Sequence, residues 1–136
     1  MEDTVIVIML KNKNTGFLET ELGSYTLEGG DNLIHNIFAL EEESGVSVHM
    51  RLTTERDLED WEFSAALDCY DTEVLLELCA SAVEDETGYN PLWEVTFDFS
   101  KSGEAMEEKI SRILKVHKEE LSSVYEAIKD LKEEYS

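Results

Sequence analysis

The stretch VSVHMRLT, residues 46–53, decides the fold because its apolar and polar side chains alternate strictly. Its four apolar residues would lie on one side of an extended chain, and the four polar residues on the other. Such alternation is typical of a strand in a sheet that has one face on the core and the other face in water. The sequence therefore predicts a half-buried strand at this point of the chain.

Three more strands are predicted before this one. The apolar run Val5–Leu10 favours a central strand buried on both faces, Phe17–Leu27 favours a second strand bent at Gly23, and Leu33–Leu40 favours a third. Residues suited to turns separate these runs, at positions 12–16, 29–32 and 44–45.

Beyond residue 53, Trp61–Tyr70 alternates again and predicts a fifth strand, and Leu92–Phe99 predicts a sixth. Between them, Asp71 or Thr72 is a suitable N-cap for a helix that would run to about Glu86. The apolar residues of that segment recur at helical spacing, which favours a helix with one buried side.

A long helix is predicted at the C-terminal end, capped by Ser102 and running to about Glu134. Its apolar stripe keeps a heptad spacing from Ile110 onward. A helix of about 31 residues spans roughly 46 Å, whereas an eight-residue strand spans roughly 26 Å, so we expect it to extend beyond the sheet. The C-terminal halves of two such helices would then pair in a homodimer, or the helix would lie diagonally over the sheet beside the first helix and end in a frayed turn. The residues predicted to form the dimer contact are Leu121, Val124, Ile128 and Leu131.

His117 falls on the same apolar stripe. A lone histidine in such a place is usually a core residue hydrogen-bonded through one nitrogen, and the alternative is a pH-sensing residue at an interface.

The order β-β-β-β-β-α-β-α predicts a single α+β domain over residues 1–136. We expect an antiparallel sheet of about five or six strands with two helices packed on one face. Residues 1–100 would form an acidic, sheet-rich body that includes the first helix, and residues 102–134 the long helix.

The negative charge is concentrated in that body. Of a net charge of −21, residues 1–100 carry 23 acidic residues and four basic ones, whereas residues 101–136 carry nine and seven. Such a field repels nucleic acid and anionic membranes and attracts basic partners.

The alternating strands predict an acidic sheet face. Its candidate partner-binding residues are Glu62, Asp68, Glu94 and Asp98, with His49 and with Tyr70 as an anchor. An ordinary solvated face is the simpler alternative.

Catalytic and metal-binding motifs are absent from the sequence. The three histidines lie far apart, Cys69 and Cys79 are ten residues apart, and no phosphate-binding glycine motif occurs. His49 beside Asp68 or Glu62 is the one acid–base pair that the pattern allows. We therefore expect no catalytic, cofactor or metal residues, and two free thiols.

The acidic Met1–Thr4 segment and the shortness of the apolar runs favour a cytoplasmic protein that does not enter membranes.

These observations predict a non-enzymatic acidic interaction protein that docks a basic protein partner, in the manner of inhibitors, immunity-type proteins or chaperones. One alternative is an inhibitor whose carboxylates mimic DNA phosphates. Another is a small ligand-binding domain or enzyme with a pocket between sheet and helices. In the simplest alternative, the acidity serves only solubility or a salty cytoplasm.

Overall fold

The computed structural model describes residues 4–12, 14–27, 31–43 and 45–135. Parts of all three predicted turns lie outside the described residues, namely Lys13 in the first, Gly29 and Gly30 in the second and Ser44 in the third, as do residues 1–3 of the acidic N-terminal segment. The α+β class and the long C-terminal helix are confirmed. The elements in chain order are β1 Thr4–Lys11, β2 Leu18–Leu27, β3 Ile34–Glu42, β4 Gly45–Leu52, α1 Asp60–Cys69, β5 Ser81–Asp85, β6 Leu92–Asp98, α2 Gly103–Ile128 and α3 Lys132–Tyr135, with short 3₁₀ turns at Asp31–Leu33 and Thr72–Leu75.

The six strands form one sheet in the order β2-β1-β3-β4-β6-β5. Four neighbouring pairs are antiparallel, but β1 and β3 are parallel, so the sheet is mixed and not wholly antiparallel as predicted. The parallel pair arises because β2 returns the chain to the end at which β1 began. β3 starts from there on the other side of β1.

The β4 strand is confirmed, and it lies between β3 and β6. Its residues Val48, Met50 and Leu52 are fully buried. Met50 is paired with Ile37 on β3 and Val95 on β6, so the three side chains point to the same face. This face and the helices enclose one continuous core.

The α2 helix covers that face with the predicted apolar stripe. Its buried residues are Met106, Ile110, Ile113, Leu114, His117, Leu121, Val124 and Ile128. The predicted cap is confirmed, since the Ser102 side chain accepts a hydrogen bond from the Ala105 amide at 3.2 Å. The helix ends at Ile128, earlier than predicted, and the separate α3 follows. The Tyr135 hydroxyl donates to Asp68 on α1 at 2.9 Å, which ties α3 to the helical layer.

The predicted fifth strand, Trp61–Tyr70, is wrong because this segment forms α1. Glu59 and Glu62 make a reciprocal capping box at its N-terminus, and this motif satisfies amide groups that a new helix leaves unpaired. Ala65 and Ala66 are fully buried in the core. A ten-residue segment with small apolar residues fits both the strand and the helix pattern, and the cap favours the helix.

The predicted helix from Asp71 to about Glu86 is also wrong. Asp71 does cap a turn, accepting a hydrogen bond from the Glu73 amide, but only the 3₁₀ turn Thr72–Leu75 follows. The chain then forms β5, which pairs with β6 along its whole length. Strand pairing with an otherwise unpaired edge thus outweighs the helical spacing of the apolar residues. The observed order is β-β-β-β-α-β-β-α-α.

Within the described residues, no helix combines the length and the apolar character needed to cross a bilayer.

Candidate functional site

The side of the sheet that faces away from the helices is the first candidate site, and we call it the open face. Strand register assigns its members, because directly paired residues point to the same side. They are Glu21, Ser24 and Thr26 on β2, Val5, Val7, Met9 and Lys11 on β1, Asn36, Phe38 and Leu40 on β3, Ser47, His49 and Arg51 on β4, Leu92, Glu94, Thr96 and Asp98 on β6, and Ser81, Val83 and Asp85 on β5.

Apolar side chains on the open face are exposed to solvent. Val5 is 61% exposed, Val7 43% and Val83 60%. The prediction that Val5–Leu10 is buried on both faces is therefore wrong: Ile8 is fully buried against the helices, whereas its neighbour Val7 points to solvent. A run of β-branched residues looks the same whether one or both faces are covered, so the sequence held no signal for this difference.

His49 lies at the centre of the open face and belongs to a polar chain. The Ser47 hydroxyl donates to Glu42 at 3.0 Å, so it accepts from His49 Nε2, which is 3.1 Å away. The imidazole stacks on Phe38 with 5.3 Å between ring centroids, and the Lys11 ammonium lies 4.7 Å from the same phenyl ring. The nearest carboxylate is that of Glu42, at 3.8 Å. The expected acid–base pair with Asp68 or Glu62 is therefore absent.

Glu94 and Asp98 lie on the open face, as predicted. Glu94 pairs with Arg51 at 3.1 Å, and both side chains are about one-third exposed. Asp98 is exposed and lies opposite Ser47. The exposed valines lie in two separate places, Val5 and Val7 on β1 and Val83 on β5, because β3, β4 and β6 lie between these strands. Glu94 lies opposite Val83, and the carboxylates do not form a continuous acidic face.

Glu62 and Asp68 are not on the sheet, which corrects the prediction. Both belong to α1, in the layer on the other side of the sheet. The Arg56 guanidinium donates to both oxygens of Glu62, at 3.3 and 2.9 Å, and this hydrogen bonding holds the pKa of Glu62 below its usual range. Asp68 accepts from Tyr135. Four carboxylates that alternation placed on one face are thus divided between two.

Tyr70 is buried, so it is not the predicted surface anchor. Its hydroxyl lies 2.8 Å from His117 Nδ1, and His117 Nε2 lies 2.7 Å from the Thr53 carbonyl oxygen. A carbonyl only accepts, so Nε2 carries the proton and Nδ1 accepts from Tyr70. His117 is the predicted core histidine, but it uses both nitrogens. Burial is the main cause that lowers the pKa of His117 to about 4, so the side chain is neutral near pH 7.

The aromatic rings around His117 complete this buried cluster. Tyr70 stacks on Trp93 with 4.2 Å between centroids, and Trp93 lies 5.5 Å from His117 in a tilted arrangement. The indole Nε1 of Trp93 is buried and has no hydrogen-bond partner among the described residues. The cluster holds the end of β4 in place, because His117 donates a hydrogen bond to the carbonyl of Thr53, the residue that follows this strand.

A second candidate site is a cleft on the helical side, next to residues 53–56, which we call the β4–α1 segment. The Tyr125 hydroxyl donates to Glu55 at 3.2 Å, and the Arg56 guanidinium lies 4.6 Å from the centre of the Tyr125 ring. Burial, followed by the nearby Glu55 carboxylate, raises the pKa of Tyr125. No local sequence pattern indicates that Glu55 meets a helix residue 70 positions away.

The residues predicted to form a dimer contact are buried within one chain. Leu121, Val124 and Ile128 are at most 2% exposed, and Leu131 is half-buried against the same core. These side chains therefore do not form the exposed stripe on which the dimer was predicted. The assembly state of the chain stays a prediction.

The cysteines and the possible metal ligands are the remaining candidate groups. Cys69 and Cys79 are free thiols, and burial raises the pKa of Cys79 to about 11, so it is protonated near pH 7. In the part of the chain that the structure describes, no three His, Cys, Asp or Glu side chains lie together in a way that could hold a metal ion.

Comparison with known proteins identifies the family. The model of a family of unknown function, DUF6762, matches residues 1–136, and the chain belongs to that family. No curated protein and no solved structure matches the chain.

Proposed function

We propose that this family member is a non-enzymatic acidic interaction protein of the cytoplasm that docks a basic protein partner on its open face. The observation that carries the proposal is the exposure of Val5 and Val7, neighbours on the same side of β1, on a sheet face that the helices leave uncovered. Apolar surface of this kind, framed by polar groups, is typical of protein–protein contact sites.

Charge defines the chemistry of the partner. A chain with a net charge of −21 attracts basic proteins over a distance and repels acidic ones, including a second copy of itself. Asp98 is exposed on the open face, and the Glu94 side chain is partly exposed beside Arg51. A partner surface with an apolar centre and lysine or arginine at its edge would match both features.

The experiment compares two variants that add the same charge on opposite sides of the sheet. Val5→Lys replaces an exposed valine on the open face, whereas Leu76→Lys replaces a leucine that is 48% exposed next to the 3₁₀ turn of the helical layer. Wild-type protein and both variants are immobilised, and lysate of the source cells is passed over each at low and at high salt.

We expect wild type and Leu76→Lys to retain the same basic protein, Val5→Lys to lose it, and high salt to release it. Equal retention by all three proteins would place the contact elsewhere and refute docking on the open face. A retained protein that is acidic, or that stays bound at high salt, would refute the proposed partner chemistry.

A further inference from the structure

We infer that the cleft beside the β4–α1 segment binds a small zwitterion of the amino-acid class. The cleft has a volume of about 360 Å³, which is at the small end of ligand pockets. It lies between α2, the 3₁₀ turn Asp31–Leu33 and the β4–α1 segment. Leu33 and Leu121 supply its apolar surface, and the polar groups come from Asn32, Glu55, Lys118, Ser122 and Tyr125.

Two opposite charges line this cleft without pairing with each other. Lys118 lies on α2 and lines the cleft, and within the described residues its side chain makes neither an ion pair nor a hydrogen bond. Glu55 lies on the β4–α1 segment, where the Tyr125 hydroxyl donates to its carboxylate at 3.2 Å.

These charges select the ligand. A simple anion would pair with Lys118 but would be repelled by Glu55 and by the field of the whole chain. A simple cation would pair with Glu55 and be attracted by the field of the whole chain, but it would be repelled by Lys118 and leave that ammonium without a partner. A zwitterion satisfies both groups and carries no net charge against the field. Its carboxylate would accept from Lys118, its ammonium would donate to Glu55, and its side chain would contact Leu33 and Leu121.

The wall that carries Glu55 is held in place before any ligand arrives. His117 donates to the Thr53 carbonyl at 2.7 Å, and the Thr53 amide donates to the Leu33 carbonyl at 2.8 Å. The Thr54 hydroxyl donates to the Arg56 carbonyl at 2.6 Å, and the Arg56 side chain is fixed by Glu62 and Tyr125. A preorganised wall reduces the entropy lost on binding.

The cleft is independent of the proposed docking surface, because the open face lies on the other side of the sheet. Loss of the protein partner in Val5→Lys would leave the cleft intact. Loss of ligand binding in a Lys118 variant would leave the open face intact.

The experiment titrates the full chain with free L-alanine, L-leucine and L-phenylalanine and follows binding by calorimetry and by amide chemical shifts. Two derivatives of leucine act as matched ligand controls: N-acetyl-leucine lacks the ammonium, and leucinamide lacks the carboxylate. We expect at least one free amino acid to bind with a dissociation constant below about 1 mM. We expect its derivatives to bind at least about tenfold more weakly.

Variants of the protein test the same contacts of the ligand with Lys118 and Glu55. Lys118→Gln and Glu55→Gln should each weaken binding at least about tenfold. Lys115→Gln and Glu119→Gln change exposed charges on the same helix outside the cleft and should leave binding unchanged. The inference is wrong if none of the three amino acids binds, if the leucine derivatives bind as well as leucine, or if the control variants weaken binding as much as Lys118→Gln.

Discussion

The two faces of the sheet are built from the same strands but differ in what covers them. Along β1, Ile6, Ile8 and Leu10 point to the helices, whereas Val5 and Val7 point to solvent. The covered face is continuous and apolar, and it encloses the paired His117. The open face mixes exposed valines, the stacked His49 and the Arg51–Glu94 pair. Stability is therefore concentrated on the covered face, and the open face is the surface on which we propose that a partner docks.

The largest effect is expected from a comparison of neighbouring residues of β1, which tests the difference between the two faces. Ile8→Ala removes a fully buried side chain and should lower the free energy of unfolding by about 2–5 kcal/mol, because it leaves a cavity. Val7→Ala, on the open face, should cost less than about 1 kcal/mol. Denaturant unfolding of both variants measures the contrast, and equal losses would show that the open face is covered in solution.

The second test uses pH and the buried His117. Its pKa is lowered from 6.5 to about 4 on folding, so between these values the unfolded chain binds the additional proton. Its contribution to stability is complete above pH 6.5 and is lost as the pH falls towards 4, to a total of about 3 kcal/mol. Unfolding free energies measured from pH 7 to pH 4 should show this loss.

The His117→Gln variant is the control for that measurement. It should be less stable than wild type at pH 7, because a buried network is broken, and its stability should fall less steeply between pH 6.5 and 4. The same slope in wild type and variant would mean that other groups cause the acid sensitivity.

The smallest expected effect belongs to the open face. Glu94→Gln removes one charge of the partly exposed Arg51–Glu94 pair and should cost at most about 1 kcal/mol. The difference from wild type should shrink in 1 M salt, because salt screens exposed charges. Thermal unfolding at low and high salt measures it, and a salt-independent loss of several kcal/mol would contradict the assignment of Glu94 to a solvated face.

Most of the fold could be predicted in segments whose apolar residues fit only one periodicity, that of a strand or that of a helix. The alternation of Val46–Thr53, the turn residues around the early strands and the heptad spacing after Ser102 led to β4, its neighbours and α2. The errors in element type fell in residues 61–86. A strand was predicted where α1 forms, and a helix was predicted where β5 forms. Segments of five to ten residues fit both periods, and caps and available sheet edges decide between them.

The candidate sites were less predictable than the fold. His49, Glu94 and Asp98 were placed correctly because they lie on strands with clear alternation. Glu62, Asp68 and Tyr70 were misplaced together with the segment that carries them. The contact of Glu55 with Tyr125 joins residues 70 positions apart, and no local pattern encodes it.

The sequence by itself determined the α+β class, the side-chain alternation of the main strands, the capped amphipathic α2 and the strong negative charge. These follow from local periodicity and composition, which each segment carries regardless of its neighbours. Only the tertiary structure decided which face of β1 is covered, that β1 and β3 run parallel, and that Lys118 and Glu55 line one cleft. Those features depend on which segments meet in space, because packing and strand pairing outweigh the small local preferences of short segments.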